Sequence, residues 1–131
     1  MQIISVINQK GGVGKTTTVI NLAAGLSKLN KKILVIDLDP QGNATTGLGL
    51  SNMDNSSDTI YGVLNGSKEI KQVIKKTQFE NLDIVTSNVD LSGLEVETAD
   101  DSNRAFILKT KLSPYLNNSR GSYDYVLVDC P

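Results

Sequence analysis

The chain contains no histidine, which removes histidine triads, histidine general bases and histidine metal ligands from the chemistry open to it. It has one cysteine, Cys130, so neither an intrachain disulfide nor a cysteine-rich zinc site can form. That count fits a reducing, cytosolic setting. Aromatic residues make up 5% of the chain, too few for a base-stacking platform. Neither sign of charge dominates: 13 basic residues against 14 acidic ones leave a net charge of −1, and nothing marks a nucleic-acid or membrane surface. No apolar run approaches the roughly 20 residues that a membrane helix needs. The first residues enter a strand-like run directly, without the basic segment and long apolar core of a secretion signal, and none is expected. A length of 131 residues suits one domain with a core, not two.

Against this plain background one stretch stands out: Lys10-Gly11-Gly12-Val13-Gly14-Lys15-Thr16-Thr17. It follows an apolar run at 3–7 and opens an amphipathic one at 19–29, the order strand, glycine loop, helix. Gly11, Gly12 and Gly14 lack Cβ atoms, so the backbone can approach an anion closely and turn its N–H groups inward as a nest for phosphate oxygens. The positive end of the following helix favours the same negative charge. Lys15 can place its ammonium between two phosphates. The Thr16 hydroxyl can ligate magnesium, a hard cation that prefers oxygen. The residues expected to hold the nucleotide are therefore Gly11, Gly12, Val13, Gly14, Lys15, Thr16 and Thr17.

The loop departs from the general phosphate-loop pattern at one point. The usual leading glycine is replaced by Gln9, and an extra lysine, Lys10, follows it. In this the loop resembles the deviant Walker A motif of the MinD and ParA superfamily of ATPases. The resemblance implies that Lys10 reaches across a dimer interface to phosphates bound by the other subunit.

Ile3, Ile4, Val6 and Ile7 predict a strand buried on both faces. The helix after the loop is expected to turn Val19, Leu22, Ala23, Leu26 and Leu29 inward and to end at Asn30-Lys31-Lys32. Ile33, Leu34, Val35 and Ile36 make a second buried strand, which completes a βαβ unit and calls for a parallel sheet. That strand ends in Asp37-Leu38-Asp39-Pro40-Gln41-Gly42-Asn43. Ligands of open α/β sheets sit beyond the carboxyl ends of the strands, so these carboxylates are expected beside the phosphate loop. There they have two uses: holding magnesium through its waters and orienting an attacking water. The run Asp37 to Asn43, followed by Ala44-Thr45, is similar to the second motif of the ParA/Soj partition ATPases. The resemblance implies that Asp39 positions or activates the hydrolytic water and that Asp37 supports the magnesium shell.

Residues 44–57 are rich in Gly, Ser, Asn and Thr and read as a mobile loop near the nucleotide. Asp58 or Thr59 is expected to cap a short helix through Val63 and Leu64, stopped by Gly66. Residues 67–76 predict another short helix, capped by Ser67, with Ile70, Val73 and Ile74 inward. Its Lys68, Lys71, Lys75 and Lys76 read as a solvated face rather than a nucleic-acid contact. Leu82, Ile84 and Val85 predict a third strand ending at Thr86-Ser87. Asp90-Leu91-Ser92-Gly93-Leu94 resembles the short helical stretch found after this strand in the family. Glu95, Glu97, Asp100 and Asp101 are assigned to the surface. Residues 103–116 predict a helix with Phe106, Ile107, Leu112 and Leu116 apolar and Pro114 ending or kinking it, then a turn at 117–122.

Tyr125, Val126, Leu127 and Val128 predict the last strand, and the aspartate that closes it, Asp129, completes a Walker B pattern. Such a carboxylate holds magnesium through a water. The metal-binding residues expected are thus Thr16, Asp37 and Asp129, and the catalytic ones Lys10 and Asp39. Cys130-Pro131 also resembles the partition ATPases. Cys130 is assigned to packing, since nothing cationic flanks it to lower its pKa.

The sequence as a whole is identified as the N-terminal portion of a ParA/Soj-type member of the superfamily. The expected fold is α/β, a P-loop NTPase domain with a mostly parallel sheet flanked by helices, stopping after the Walker B strand. The resemblance implies a magnesium-dependent ATPase of chromosome or plasmid partition that dimerises on ATP. It also implies a ParB-like partner, non-specific DNA bound through a missing C-terminal half, a cytoplasmic, nucleoid-associated location and no membrane. Two other readings stand beside it: a nucleotide-dependent switch of replication or transcription with little turnover, and an inert half-domain. A chain that stops after a central strand is expected to leave an open sheet edge, as a truncated form or an incomplete gene product would. Nitrogenase iron proteins share the loop but need two cysteines per subunit. Asp39-Pro40-Gln41-Gly42-Asn43 argues against the membrane-associated septum-site proteins.

Overall fold

Ile33, Leu34, Val35 and Ile36 are completely buried, because β2 (Ile33–Asp37) has a strand on each side and an apolar layer on each face. The computed structural model describes residues 2–6, 13–51, 58–91, 110 and 123–129, with only the backbone of 2–6 and 13–15. Strand side chains alternate between faces. Ile33 and Val35 accordingly pack with Val19 and Ala23 of α1 (Val13–Lys28) and with Ala44, Leu48, Leu82, Ile84 and Leu127. Leu34 and Ile36 face the other way, against Ile60, Val63, Ile70, Val73, Val126 and Val128.

After α1 and β2 the order is α2 (Asn43–Gly47), α3 (Ile60–Leu64), α4 (Ile70–Val73), β3 (Ile74–Lys76), β4 (Leu82–Val85) and β5 (Tyr125–Asp129), with β1 (Gln2–Val6) first. The sheet runs β1-β5-β2-β4-β3. Its first four strands are mutually parallel, and β3 adds to β4 antiparallel. The βαβ unit is present, but its two strands are not neighbours: β5 lies between them. The register places Val6, Asp129 and Asp37 in one row at the carboxyl ends of three adjacent strands.

Three expectations are corrected. The inward face of α1 is Thr16, Val19, Ala23 and Ser27, while Leu22 is 39% and Leu29 69% exposed and Leu26 is half-buried. Leu26 packs at the edge of the cluster formed with Val19 and Ala23, and Leu22 and Leu29 are turned toward solvent. The helix ends at Lys28 and closes, within the expected stretch, through Asn30, whose φ of 61° is left-handed. The Asn30 N–H reaches the Ser27 carbonyl at 3.1 Å and the Lys31 N–H the Leu26 carbonyl at 3.2 Å, a Schellman closure.

Residues 44–57 are not all loop, since α2 takes 43–47 and buries Ala44 and Thr45. Gly42, at φ 67°, turns the chain into it. Gly47 lies against α1, where an added Cβ would meet the end of the Ile20 side chain.

The third correction concerns 67–76, which is a single turn of helix followed by β3. Glu69, not Ser67, stands before α4, with its N–H on Gln72 Oε1 at 2.8 Å. Ser67 instead closes α3, its hydroxyl donating to the Gly62 carbonyl at 3.2 Å. Ile74 leaves the helix because the edge of β4 offers it a strand partner, Val85. Lys68 lies 4.0 Å from Asp58 and Lys71 3.4 Å from Glu69, and the Lys75 ammonium donates to Thr86 Oγ1 at 3.1 Å.

The α3 expectation holds: the Thr59 hydroxyl accepts from the Tyr61 N–H, and Gly66 follows with φ 87°. The strands expected around 82–85 and 125–128 are β4 and β5. Residues 1, 7–12, 52–57, 92–109, 111–122 and 130–131 lie outside the described residues. So do the phosphate loop up to Gly12, most of the stretch from Asp90 to Leu94, the acidic 95–101, and all of 103–116 but Thr110, which is helical. The turn at 117–122, Cys130 and Pro131 also lie outside them. Among the described residues no helix is long and apolar enough to cross a membrane.

These positions predict opposite responses on one helix. Leu29→Lys should change stability by less than about 0.5 kcal/mol. Ala23→Leu, forced between α1 and the sheet, should cost about 2 kcal/mol. Urea unfolding of both variants checks the assignment of the face, and equal effects would contradict it.

Candidate nucleotide and magnesium site

A parallel sheet offers its ligand site where the strands end. Asp129 closes β5 there, fully buried, and the first turn of α1 stands over it. The Thr16 hydroxyl donates to Asp129 Oδ2 at 3.0 Å across 113 residues of sequence. Asp37 closes β2 beside Asp129 in the same register row and is also fully buried.

The Asp37 carboxylate is satisfied by three hydrogen bonds. Oδ1 accepts from the Asp39 N–H at 3.0 Å, and Oδ2 from the Thr45 N–H at 2.9 Å and the Thr45 hydroxyl at 2.7 Å. Thr45 is the third residue of α2, and its N–H is one a helix normally offers to a capping side chain. Gly42, in the cap position, has none. Asp37, eight residues back, does this work instead. Burial pushes the Asp37 carboxyl up to about 6, the hydrogen bonds from Thr45 and Asp39 oppose the rise, and the neighbouring Asp129 charge adds to it.

Asp39 is oriented separately. Its Oδ1 accepts from the Gln41 N–H at 3.0 Å and its Oδ2 from Asn43 Nδ2 at 3.1 Å. Its own N–H bends back onto Asp37, so a backbone-to-side-chain bond ties the two aspartates together where the chain leaves the sheet.

Thr16, Asp37, Asp39 and Asp129 are therefore gathered at one end of the sheet. Val13, Gly14 and Lys15 begin α1, with their backbone alone described, and Thr17 is exposed in its first turn. Lys10, Gly11 and Gly12 lie outside the described residues. Two participants escaped the sequence reading, Thr45 and Ser87. The Ser87 N–H donates to Thr45 Oγ1 at 3.0 Å, and its hydroxyl donates to the Asp39 carbonyl. Their signal is faint, a threonine in a loop-like stretch and a serine just past a strand.

The donor set consists of oxygen, a hydroxyl and carboxylates, which suits magnesium. Among the described residues no group of three or more His, Cys, Asp or Glu could hold a metal alone.

Residues 1–131 match the AAA domain family. The chain is 45% identical over 130 residues to the chromosome partitioning protein ParA of Myxococcus xanthus, covering 99% of this chain and 44% of that protein. It is 42% identical over 130 residues to the sporulation initiation inhibitor protein Soj of Bacillus subtilis, covering 99% and 49%. The chain belongs to the ParA/Soj-type partition ATPases. Its fold is that of the P-loop ATPases. It superposes with a TM-score of 0.85 and 35% identity on cobyrinic acid a,c-diamide synthase of Mycobacterium smegmatis, solved with a bound ATP analogue and magnesium. That match covers 100% of this chain and 51% of the synthase. The chain spans a little under half the length of the curated ParA and Soj relatives, 44% and 49%.

Two measurements test the ParA-type corner. Thr45→Val strips Asp37 of one donor and leaves the buried Ser87 N–H without its acceptor, for an expected loss of about 2–4 kcal/mol. Thr45→Ser should lose under about 1 kcal/mol, because the hydroxyl stays. A valine variant as stable as the serine one would contradict the network. The second concerns pH in the metal-free protein. Folding raises the Asp37 pKa from 3.8 to about 6, so the folded state holds the proton more tightly. This contribution therefore lowers stability as pH rises through that window. The unfolding free energy of the wild type minus that of Asp37→Asn, which cannot titrate, should be larger by about 2 kcal/mol at pH ~4.5 than at pH ~7.5. A difference independent of pH would refute the raised pKa.

Proposed function

We propose that this chain is the nucleotide-binding part of an ATPase of chromosome or plasmid partition, which binds ATP with magnesium and dimerises on doing so. The observation that carries the proposal is the 3.0 Å bond from Thr16 to Asp129, which joins a hydroxyl of the glycine motif to the residue closing β5. In this reading Gly11, Gly12, Val13, Gly14, Lys15, Thr16 and Thr17 cradle the phosphates, Lys15 by its charge and the others by backbone N–H groups and hydroxyls. Thr16, Asp37 and Asp129 would hold magnesium, Asp37 by supporting its shell. The cation, when bound, neutralises charge on the phosphate oxygens.

Asp39 orients the attacking water and takes up its proton at a carboxylate oxygen. Lys10 completes the site of a second copy, where its positive charge stabilises charge developing on the transferred phosphate. A ParB-like protein and non-specific DNA are the partners proposed for the whole protein, with a cytoplasmic, nucleoid-associated place of action. The Bacillus relative's name, sporulation initiation inhibitor, favours keeping a second reading. In it the same site works as a nucleotide-dependent regulator of replication or transcription with little turnover.

Calorimetric titration with ATP and magnesium is the direct test. Saturable binding is expected, abolished in Lys15→Ala and weakened at least about tenfold in Thr16→Ala, a change of about 1.4 kcal/mol. Binding indifferent to both substitutions would refute the phosphate-site assignment. Lys10→Ala should leave binding measurable and impair ATP-dependent dimerisation. Asp39→Ala should retain ATP in the dimer, and unchanged hydrolysis would remove Asp39 from the mechanism. Slow phosphate release alongside full nucleotide-dependent dimerisation would favour the regulator.

A further inference from the structure

The chain just past β4 is polar yet buried: Thr86 and Ser87 are fully enclosed and Asn88 is 7% exposed. Ser87 spends both its donors on the aspartate corner, the N–H on Thr45 Oγ1 and the hydroxyl on the Asp39 carbonyl. Thr45 passes the connection to Asp37, and the Asp39 N–H returns to Asp37, closing a ring of four residues drawn from three separate stretches. The ring has one sense. The Thr45 hydroxyl gives its single proton to Asp37 and so meets Ser87 only as an acceptor.

The peptides on both sides of Asp39 are held by this ring. Asp37 takes its N–H, and its carbonyl accepts from the Ser87 hydroxyl and from the Gly42 N–H at 2.8 Å. The anchor is itself fixed from outside. The Ile60 N–H donates to the Thr86 carbonyl at 2.9 Å, and the Lys75 ammonium to Thr86 Oγ1 at 3.1 Å. Without Ser87 the Asp39 peptide would be tied only to its own neighbourhood, through Asp37 and Gly42.

We propose that Ser87 is a positioning residue for ATP hydrolysis, holding the Asp39 carbonyl against the end of β4 so that the Asp39 carboxylate keeps its place relative to the row of Asp37, Asp129 and Thr16. The proposal rests on the hydrolase reading above. Ser87 acts through Asp39, so its removal disturbs the chemical step and spares the binding of phosphates by the glycine motif. Displacing a positioned group by a fraction of an ångström is enough to slow a reaction without weakening substrate binding.

Ser87→Ala is the variant to measure. It keeps the N–H bond to Thr45, and the Asp39 carbonyl keeps the Gly42 N–H, so no buried polar group is orphaned and the fold should survive. With ATP and magnesium, kcat is expected to fall at least about tenfold, while KM and the calorimetric Kd stay within about twofold. The amide proton of Asp39 should exchange faster with solvent, and Ser87→Thr, which restores a hydroxyl, should recover most of the rate. An unchanged kcat in Ser87→Ala would overturn the proposal. So would a joint loss of kcat, affinity and thermal midpoint, which would make Ser87 merely structural. These rates are measured in the full-length protein, and a full-length wild type that binds ATP and never hydrolyses it would overturn the hydrolase reading and this proposal with it, a result seen before any substitution is made.

Discussion

A carboxylate sealed from water at the end of a central strand cannot be left unsatisfied, and much of this structure answers to that constraint at Asp37. Three hydrogen bonds meet it, and the sheet supplies none of them. The donors come from the chain that follows. Pro40 and the left-handed Gly42 turn that chain back, and α2 then delivers the Thr45 N–H and hydroxyl. Thr45 next needs a donor for its own oxygen, and the end of β4 provides it through Ser87. One buried charge thus joins the ends of two parallel strands and the helix between them.

Beside it lies a second buried carboxylate, Asp129, in the same register row. Two neighbouring acids in a dry setting repel each other, and burial already lifts the Asp37 pKa to about 6. Such a pair is unfavourable as a purely structural device. It becomes favourable once a cation sits nearby, which is why the row, with the Thr16 hydroxyl over it, reads as a magnesium site. The start of α1 stands over the same end of the sheet, so the residues proposed for cation and anion are carried by adjacent elements.

The scaffold that holds this row is conventional in its physics. Strand β2 sends alternate side chains into two apolar layers, one under α1 and α2 and one under α3 and α4. Asp37 and Asp129 take their places at the ends of strands whose preceding residues are fixed by that packing. The polar corner therefore rests on the packed core, with the hydrogen bonds around Asp39 above it.

The sequence by itself determined the parts that local chemistry specifies. The runs at 33–36 and 125–128 could hardly be anything but buried strands, since four consecutive apolar residues need cover on both faces. Asp37 closing β2, Asp39 just past it and Asp129 closing β5 were expected at one end of the sheet because ligands of parallel sheets sit beyond the carboxyl ends of the strands, and there they lie. Tertiary structure decided the rest. No pattern in the chain says that β5 slides between β1 and β2, yet that choice alone brings Asp129 to Thr16 and Asp37. Residues 43–47 look like loop because their helix is capped by Asp37 from outside, and 74–76 look helical because the strand they join lies further along the chain. Leu22 and Leu29 were misplaced because spacing gives a helix a stripe but not the angle at which it meets the sheet. Ser87 carried only a faint signal, because its bonds go to Thr45 and to the Asp39 carbonyl, 42 and 48 residues away.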